Sequence, residues 1–487
     1  MDISKYRIET DSIGEKLVPV DAYYGIQTLR AKENFRITKQ KVHKEMIKGI
    51  AITKKAAAMA NFEAGMISED IYEAIAKACD EITSGKLYRQ FITDMIQGGA
   101  GTSMNMNANE VIANRAQEIL GGQKGVYDIV HPNDHVNFSQ STNDIVPTAG
   151  KIATIKLTEK LLLEMRRLHR SYLDKANEFG GVIKMGRTHL QDAVPIRLGQ
   201  EFNAFASALE RDINRIEHSI SDLKILNMGA TAVGTGLNAN TTYIQKVVKI
   251  ISDFTHVEFK QAEDLVDSTR NLDSFVWLSS ALKTCAISLS KTANDLRLMA
   301  SGPKTGFNEI NLPQMQPGSS IMPGKVNPVI PEVINQIAFQ VIGNDLTITK
   351  AAEAGQLELN VFEPVLFANL FQSLDILRRG IRTFYQRAIS GVTVNKELCV
   401  LYVERSAGIV TALAPHIGYK KAADIAKEAI KLNKPIKDLV INKQILSKDD
   451  LDIILNINNL TSPGISGEEL LIQKKKLHEE KTGECNS

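Results

Sequence analysis

Seven apolar residues set the first limit on what this chain can fold into. Phe202, Phe205, Leu209, Ile213, Ile216, Ile220 and Leu223 are spaced 3, 4, 4, 3, 4 and 3 residues apart. That spacing keeps one apolar stripe on one side of an α-helix for about six turns, as in helices that pack lengthwise on one another. Arg211, Asp212, Arg215, Glu217 and Asp222 fall off the stripe and are expected on a solvated or partner-facing surface. Four more long helical segments are predicted over 151–179, 274–300, 331–354 and 362–390, each reaching roughly 35–45 Å at a rise of 1.5 Å per residue. Five such helices in succession argue for an elongated bundle. Their many Ala, Ser and Gly residues allow neighbouring helices to approach closely, including helices of other subunits.

The flanking regions read differently. Alternation in Arg7-Ile8-Glu9 and Leu17-Val18-Pro19-Val20 predicts a small extended segment, and apolar residues recur at helical spacing from about residue 44 to 84. After residue 397 the helices shorten, and Gln473-Lys474-Lys475-Lys476 leads into a polar tail expected to fray. The expected fold class is all-α, divided into an N-terminal domain (1–142), a central elongated bundle (143–397) and a small C-terminal helical domain (398–487).

Charge and cysteine content exclude several function classes. Lys and Arg number 58 against 56 Asp and Glu, and tryptophan occurs once. With no long basic block and few aromatic residues, nothing favours nucleic acid as a partner. Cys79, Cys285, Cys399 and Cys485 are scattered without a Cys-x-x-Cys pair, which fits reduced thiols and offers no zinc framework. The start, from Met1 and Asp2 to Arg7, lacks a basic-then-apolar signal pattern, and no uncharged apolar run approaches the roughly 18 residues of a membrane span. The expectation is a cytoplasmic protein with no membrane segment.

Between the long helices lie the chemistry-bearing stretches. Gly318-Ser319-Ser320-Ile321-Met322-Pro323-Gly324-Lys325-Val326-Asn327-Pro328 has two glycines and two prolines in eleven residues, so it is an irregular loop. It carries hydroxyls, a cation and an amide but no acid, a composition suited to a carboxylate or another anion. Gln97-Gly98-Gly99-Ala100-Gly101-Thr102-Ser103 is a second glycine-rich loop, without the lysine of a phosphate-binding P-loop. His131-Pro132-Asn133-Asp134-His135 and Ser139-Gln140-Ser141-Thr142-Asn143-Asp144 hold residue types favoured in helix caps. His131 and His135 are four apart, but Pro132 and the lack of an accompanying helical carboxylate argue against a metal site. Gly186-Arg187-Thr188-His189 joins the first two long helices. In a bundle, loops at one end converge and distant stretches can build one pocket.

The pattern Gly-Ser-Ser-x-x-Pro-x-Lys-x-Asn in the 318–328 loop resembles the signature of the aspartase/fumarase superfamily of lyases. The blocks at 98–109, 131–144, 184–201, 229–238 and 354–364 are also similar to that superfamily's. The resemblance implies three mostly helical domains whose five central helices pack with those of three other copies, giving a homotetramer with shared active sites. Two activities compete within it. Asp21-Ala22-Tyr23-Tyr24-Gly25-Ile26-Gln27-Thr28-Leu29-Arg30, Thr142 in its block, and the stretches following Val329 and Glu353 are similar to the ammonia-lyases rather than the class II fumarases. Gly324 departs in part, since some ammonia-lyases carry alanine there.

By that resemblance the expected activity is reversible deamination of L-aspartate to fumarate, with Ser319 as an alkoxide base taking the Cβ proton. The resemblance assigns Lys325 and Asn327 to the carboxylate that gains charge, with Ser320 in a supporting role. Thr102, Ser141, Thr142 and Asn143 are assigned to the substrate's carboxylate and amino groups, Thr188 and His189 complete the pocket, and Glu332 partners His189. Arg30 is a further candidate for carboxylate binding. Lone serines and histidines are more often structural, so these assignments rest on their motifs. No cofactor is required, and the sequence shows no metal-ligand pattern, although a divalent cation could activate a relative. A water-eliminating fumarase and a catalytically silent helical scaffold are the alternatives.

Overall fold

The computed structural model describes residues 3–483; Met1, Asp2, and the tail from Glu484 with Cys485 lie outside the described residues. Helices dominate. The five long ones are Thr142–Glu178, Leu198–Leu223, Asp273–Met299, Val329–Glu353 and Glu363–Arg387. The predicted stripe is the packed side of Leu198–Leu223: Phe202, Leu209, Ile213, Ile216 and Leu223 are buried. Asp212 departs from expectation. It is fully buried, with Arg215 one turn on bonded to its carboxylate.

The first long helix begins nine residues before the predicted segment, with Pro147 inside it. A proline there removes the N–H that would bond the carbonyl four residues back, that of Asn143. The Asn227 side chain supplies the missing donor, reaching the Asn143 carbonyl at 3.0 Å. The helix therefore passes through the proline without stranding a carbonyl. Small residues also act as foreseen. A Cβ on Gly150 would meet the Phe367 ring at 2.1 Å, so that contact exists only because the position is glycine.

Strands are short and two-stranded. Tyr6–Asp11 pairs antiparallel with Gly14–Pro19, matching the predicted extended segment. Ile183–Thr188 pairs antiparallel with Gln191–Arg197, where the sequence suggests only a connection between helices. The chain forms two compact units. One comprises 1–165, 211–287 and 336–380, and the other 166–210, 288–335 and 381–487. In the second unit Met185, Val403, Ile409, Leu413, Val440, Leu451 and Ile454 form one apolar core. Cys79, Cys285 and Cys399 are all buried free thiols, and burial raises each pKa, that of Cys79 to about 12. No single helix among the described residues is long and apolar enough to cross a membrane.

Candidate active site

In the second unit the 318–328 loop folds back on itself. The Gly318 N–H donates to the Lys325 carbonyl at 2.7 Å, and the Asn327 side-chain amide donates to the Gly318 carbonyl at 2.7 Å. A Cβ on Gly318 would sit 2.7 Å from the Asn327 nitrogen and the Lys325 oxygen, so the closure requires glycine. Gly324 takes a φ of +83°, a conformation glycine adopts without steric penalty. The result is a cradle for Ser319. Its Oγ accepts from the backbone N–H of Met322 at 2.9 Å and of Ile321 at 3.2 Å. Donors aimed at a hydroxyl oxygen favour its ionised form. Ser319 and Asn327 are half-buried, whereas Ser320 and Lys325 are exposed.

The same unit carries Thr188 and His189 at the tip of the second hairpin. Thr188 pairs with Gln191, leaving His189 and Leu190 as a two-residue turn with φ of 54° and 59°. Such turns normally use glycine or asparagine, and each ordinary residue held there costs about 1–2 kcal/mol. Strain of this kind persists only where the surroundings enforce it. The base of the hairpin does so. Lys184 lies 2.9 Å from Glu201 and 3.2 Å from the buried Glu309, and Arg187 pairs with Glu309 at 2.7 Å while stacking 4.1 Å from the Phe307 ring. His189 is exposed at the far end. Glu332 lies 4.0 Å from Arg297 and makes no hydrogen bond to His189 within this chain.

The remaining candidates belong to the first unit. Gly99, Ala100 and Gly101 all take positive φ before the helix Thr102–Ile119 starts, which is why the sequence is glycine-rich there. Thr102 opens that helix with its hydroxyl donating to the Gly99 carbonyl. Ser141 Oγ accepts from the Asn143 N–H at 3.2 Å, and the Asn143 amide donates to the Ala232 carbonyl at 2.7 Å. Thr142 Oγ1 accepts from Asn105 at 3.2 Å. Ser141, Thr142 and Asn143 are thus consecutive and half-buried at the start of the long helix. Arg30 is placed differently. Its guanidinium grips Asp11 through two bonds of 2.9 and 3.0 Å and also donates to the Gly14 carbonyl, which braces the first hairpin. His131 and His135 serve as caps: His131 Nδ1 accepts from the Asn133 and Asp134 N–H groups, and His135 Nδ1 accepts from that of His131.

Two residues beneath the Ser141–Asn143 segment escaped the sequence reading. Asp144 is fully buried and accepts backbone N–H bonds from Ser141 at 2.9 Å, Thr231 at 3.2 Å and Gly229 at 3.3 Å. One carboxylate thereby ties the 139–144 block to the glycine-rich turn after Leu226. Burial raises its pKa, opposed by those N–H groups. Lys54 is fully buried on the helix Lys44–Glu63, and burial lowers its pKa to about 7. The signal for Asp144 lay in its motif; Lys54 had none, standing in an alanine-rich helix. Among the described residues no group of three or more His, Cys, Asp or Glu side chains could hold a metal ion.

A model of the lyase family matches residues 14–343, and one of the fumarase C C-terminus matches 409–462. The aspartate ammonia-lyase of Bacillus subtilis is 58% identical over 96% of this chain and 98% of its own length. The chain belongs to the aspartase/fumarase lyase family. A second family member, the aspartate ammonia-lyase of Escherichia coli, is 48% identical over 94% of this chain and 96% of its own length. Among solved structures of the family, the fumarate lyase:delta crystallin of Brucella melitensis bound to cobalt superimposes with a TM-score of 0.92 at 47% identity, covering 94% of this chain and all of the other. The class II fumarase of Schistosoma mansoni superimposes with a TM-score of 0.90 at 36% identity, covering 94% of this chain and 99% of the other. The family's helical architecture is thus that of this chain.

Proposed function

We propose that this chain is an aspartate ammonia-lyase, converting L-aspartate reversibly to fumarate and ammonia with Ser319 as the base. The observation that carries the mechanism is the pair of backbone N–H groups directed at Ser319 Oγ. A serine hydroxyl is far too weak an acid to ionise unaided near neutrality, so such donors are what a serine base requires. The choice of ammonia over water as leaving group rests on the 58% identity with an aspartate ammonia-lyase over nearly the whole chain, against 36% with a class II fumarase.

In this reading the Ser319 alkoxide takes a proton from Cβ of aspartate, and the C–H electron pair spreads into the adjoining carboxylate as a dianionic aci-carboxylate. When that carboxylate re-forms, the pair becomes the Cα–Cβ double bond and the C–N bond breaks to release ammonia. Lys325 and Asn327 are assigned to the carboxylate that gains charge, where a cation and an amide donor act most strongly in the transition state. Thr102, Ser141, Thr142 and Asn143 hold the substrate's carboxylate and amino groups, with Thr188 and His189 completing the pocket. Every electron pair moves within the substrate or between it and the serine, so the scheme draws on no organic cofactor. The active unit is a homotetramer with shared sites, in which Glu332 meets His189 of another copy. Phe339 and Leu346, apolar yet largely exposed, and the partly exposed Ile342 lie along one helix and are suited to that assembly.

The test follows fumarate by its ultraviolet absorbance, with L-aspartate and L-malate supplied in parallel. Fumarate from aspartate alone is expected; fumarate from malate alone overturns the choice of leaving group. Ser319→Ala is expected to lower kcat by at least about 10²-fold with assembly intact. Wild-type turnover in that variant would remove serine from the base role.

A further inference from the structure

A cavity of about 240 Å³ lies wholly within the first unit, between the start of the helix Lys44–Glu63 and the helix Glu363–Arg387. None of the residues assigned to the substrate lines it. Its floor is apolar and of one character. Phe367 and Phe371 stack with ring centroids 5.5 Å apart, and the thioethers of Met46, Met95 and Met104 share the lining. Sulfur and aromatic carbon both favour contact with a further aromatic ring. The walls are fixed in advance. Asp94 accepts from the N–H groups of Thr38 at 2.8 Å, Lys39 at 2.9 Å and Ile96 at 3.0 Å, and the Met95 N–H donates to the Gln40 carbonyl at 2.9 Å. The strand-like pieces that carry Lys41, Val42 and Met95 are thereby held apart from the helix, and the space between them stays open.

The mouth has the opposite chemistry. Lys41 and Arg379 are exposed on its rim, and Asp375 is the one carboxylate in the lining. Arg379 at 2.8 Å and Arg378 at 3.3 Å both donate to Asp375, so its charge is already matched and the rim keeps a positive excess. We propose that this cavity is a binding site for a small aromatic monocarboxylate, its ring among the methionines and phenylalanines and its carboxylate at the cationic mouth. The size agrees, since a cavity of about 150 Å³ holds benzene and this one has room for a ring with a carboxylate attached. The lining also excludes the substrate. A second carboxylate, as in aspartate or fumarate, would be buried against Met and Phe side chains with no donor to meet it, which is strongly unfavourable. An amine is turned away by the excess of cations at the rim.

The experiment titrates benzoate into the full-length, assembled protein by calorimetry, with succinate present at saturation to occupy the substrate pocket. One benzoate per chain is expected, with a dissociation constant of about 1 mM, the scale for so small a ligand. Ala368→Trp, which places an indole in the cavity from its half-buried lining position, is expected to abolish binding. Lys41→Gln with Arg379→Gln is expected to weaken benzoate about five-fold, as for exposed ion pairs, and benzyl alcohol, which has the ring without the charge, less than about two-fold. The charge pair leaves the apolar floor intact and keeps the test open should Ala368→Trp not fold. No benzoate binding to the wild type overturns the proposal, as does binding that Ala368→Trp leaves unchanged. Benzoate displaced by succinate belongs to the substrate pocket and equally refutes a separate site. Equal weakening of benzoate and benzyl alcohol in the charge variant refutes the cationic mouth as the carboxylate's partner.

Discussion

Substituting alanine for Gly318 probes the serine cradle without touching a reacting group. The added Cβ would lie 2.7 Å from two backbone atoms, Asn327 N and Lys325 O, whereas ordinary contact begins near 3.4 Å. Relief needs a shift of about 0.7 Å. Neither obstacle is a flexible side-chain tip, so the loop backbone must make the move. The shift stretches both 2.7 Å bonds that close the loop and carries the adjoining Ser319 away from its donors. Misplacing a reacting group by 1 Å costs about 10²-fold, so roughly 10- to 50-fold in kcat is expected, or about 1.5–2.5 kcal/mol of barrier. The control is Gly324→Ala, where the added Cβ meets nothing within 4 Å. That variant carries only the cost of alanine at φ of +83°, about 1 kcal/mol of loop stability. Initial rates of fumarate formation at saturating L-aspartate compare the two. A Gly318→Ala enzyme within two-fold of wild type, or a Gly324→Ala enzyme slower than it, refutes the cradle as the source of Ser319's reactivity.

Two further expectations concern stability. Asp375 accepts from Arg379 and Arg378 and lies 3.6 Å from His43, the largest influence, and its pKa is held at about 2. A carboxylate depressed in the folded state stabilises above its unfolded pKa near 4, and that stability drains away as pH falls towards 2. Asp375→Asn should therefore cost about 1–2 kcal/mol at pH 6, allowing for partial exposure, with the gap to wild type narrowing below pH 4 in denaturant titrations; a gap that widens there contradicts the assignment. Leu190→Gly should raise the melting temperature, because it removes the penalty of φ 59° while giving up a side chain that is 66% exposed. A fall in melting temperature would mean that Leu190 buries more than this chain alone displays.

The long helices were legible because burial on one side leaves a period in the sequence, as Phe202 to Leu223 show. The early start of the Thr142–Glu178 helix was not, since Pro147 is tolerated only through Asn227, a residue 80 positions on. The hairpin around His189 was hidden for a similar reason. Its turn lacks glycine and asparagine, and its strand carries Lys184, whose burial depends on Glu201 and Glu309. Site residues held by local backbone, such as Ser319 and Thr102, could be found from their loops. Asp144 and Lys54 act through partners distant in the chain, and residue type alone gives no sign of that.

The sheltered thiols carry a consequence for following the molecule as it opens. Cys79 and Cys285 lie in the first compact unit and Cys399 in the second, each shielded from solvent and each held far from its reactive thiolate form. An alkylating reagent reaches them only when the surrounding helices part. Among the described residues the chain thus contains its own clocks, two in one unit and one in the other, by which the breathing of each can be timed separately with no label engineered in.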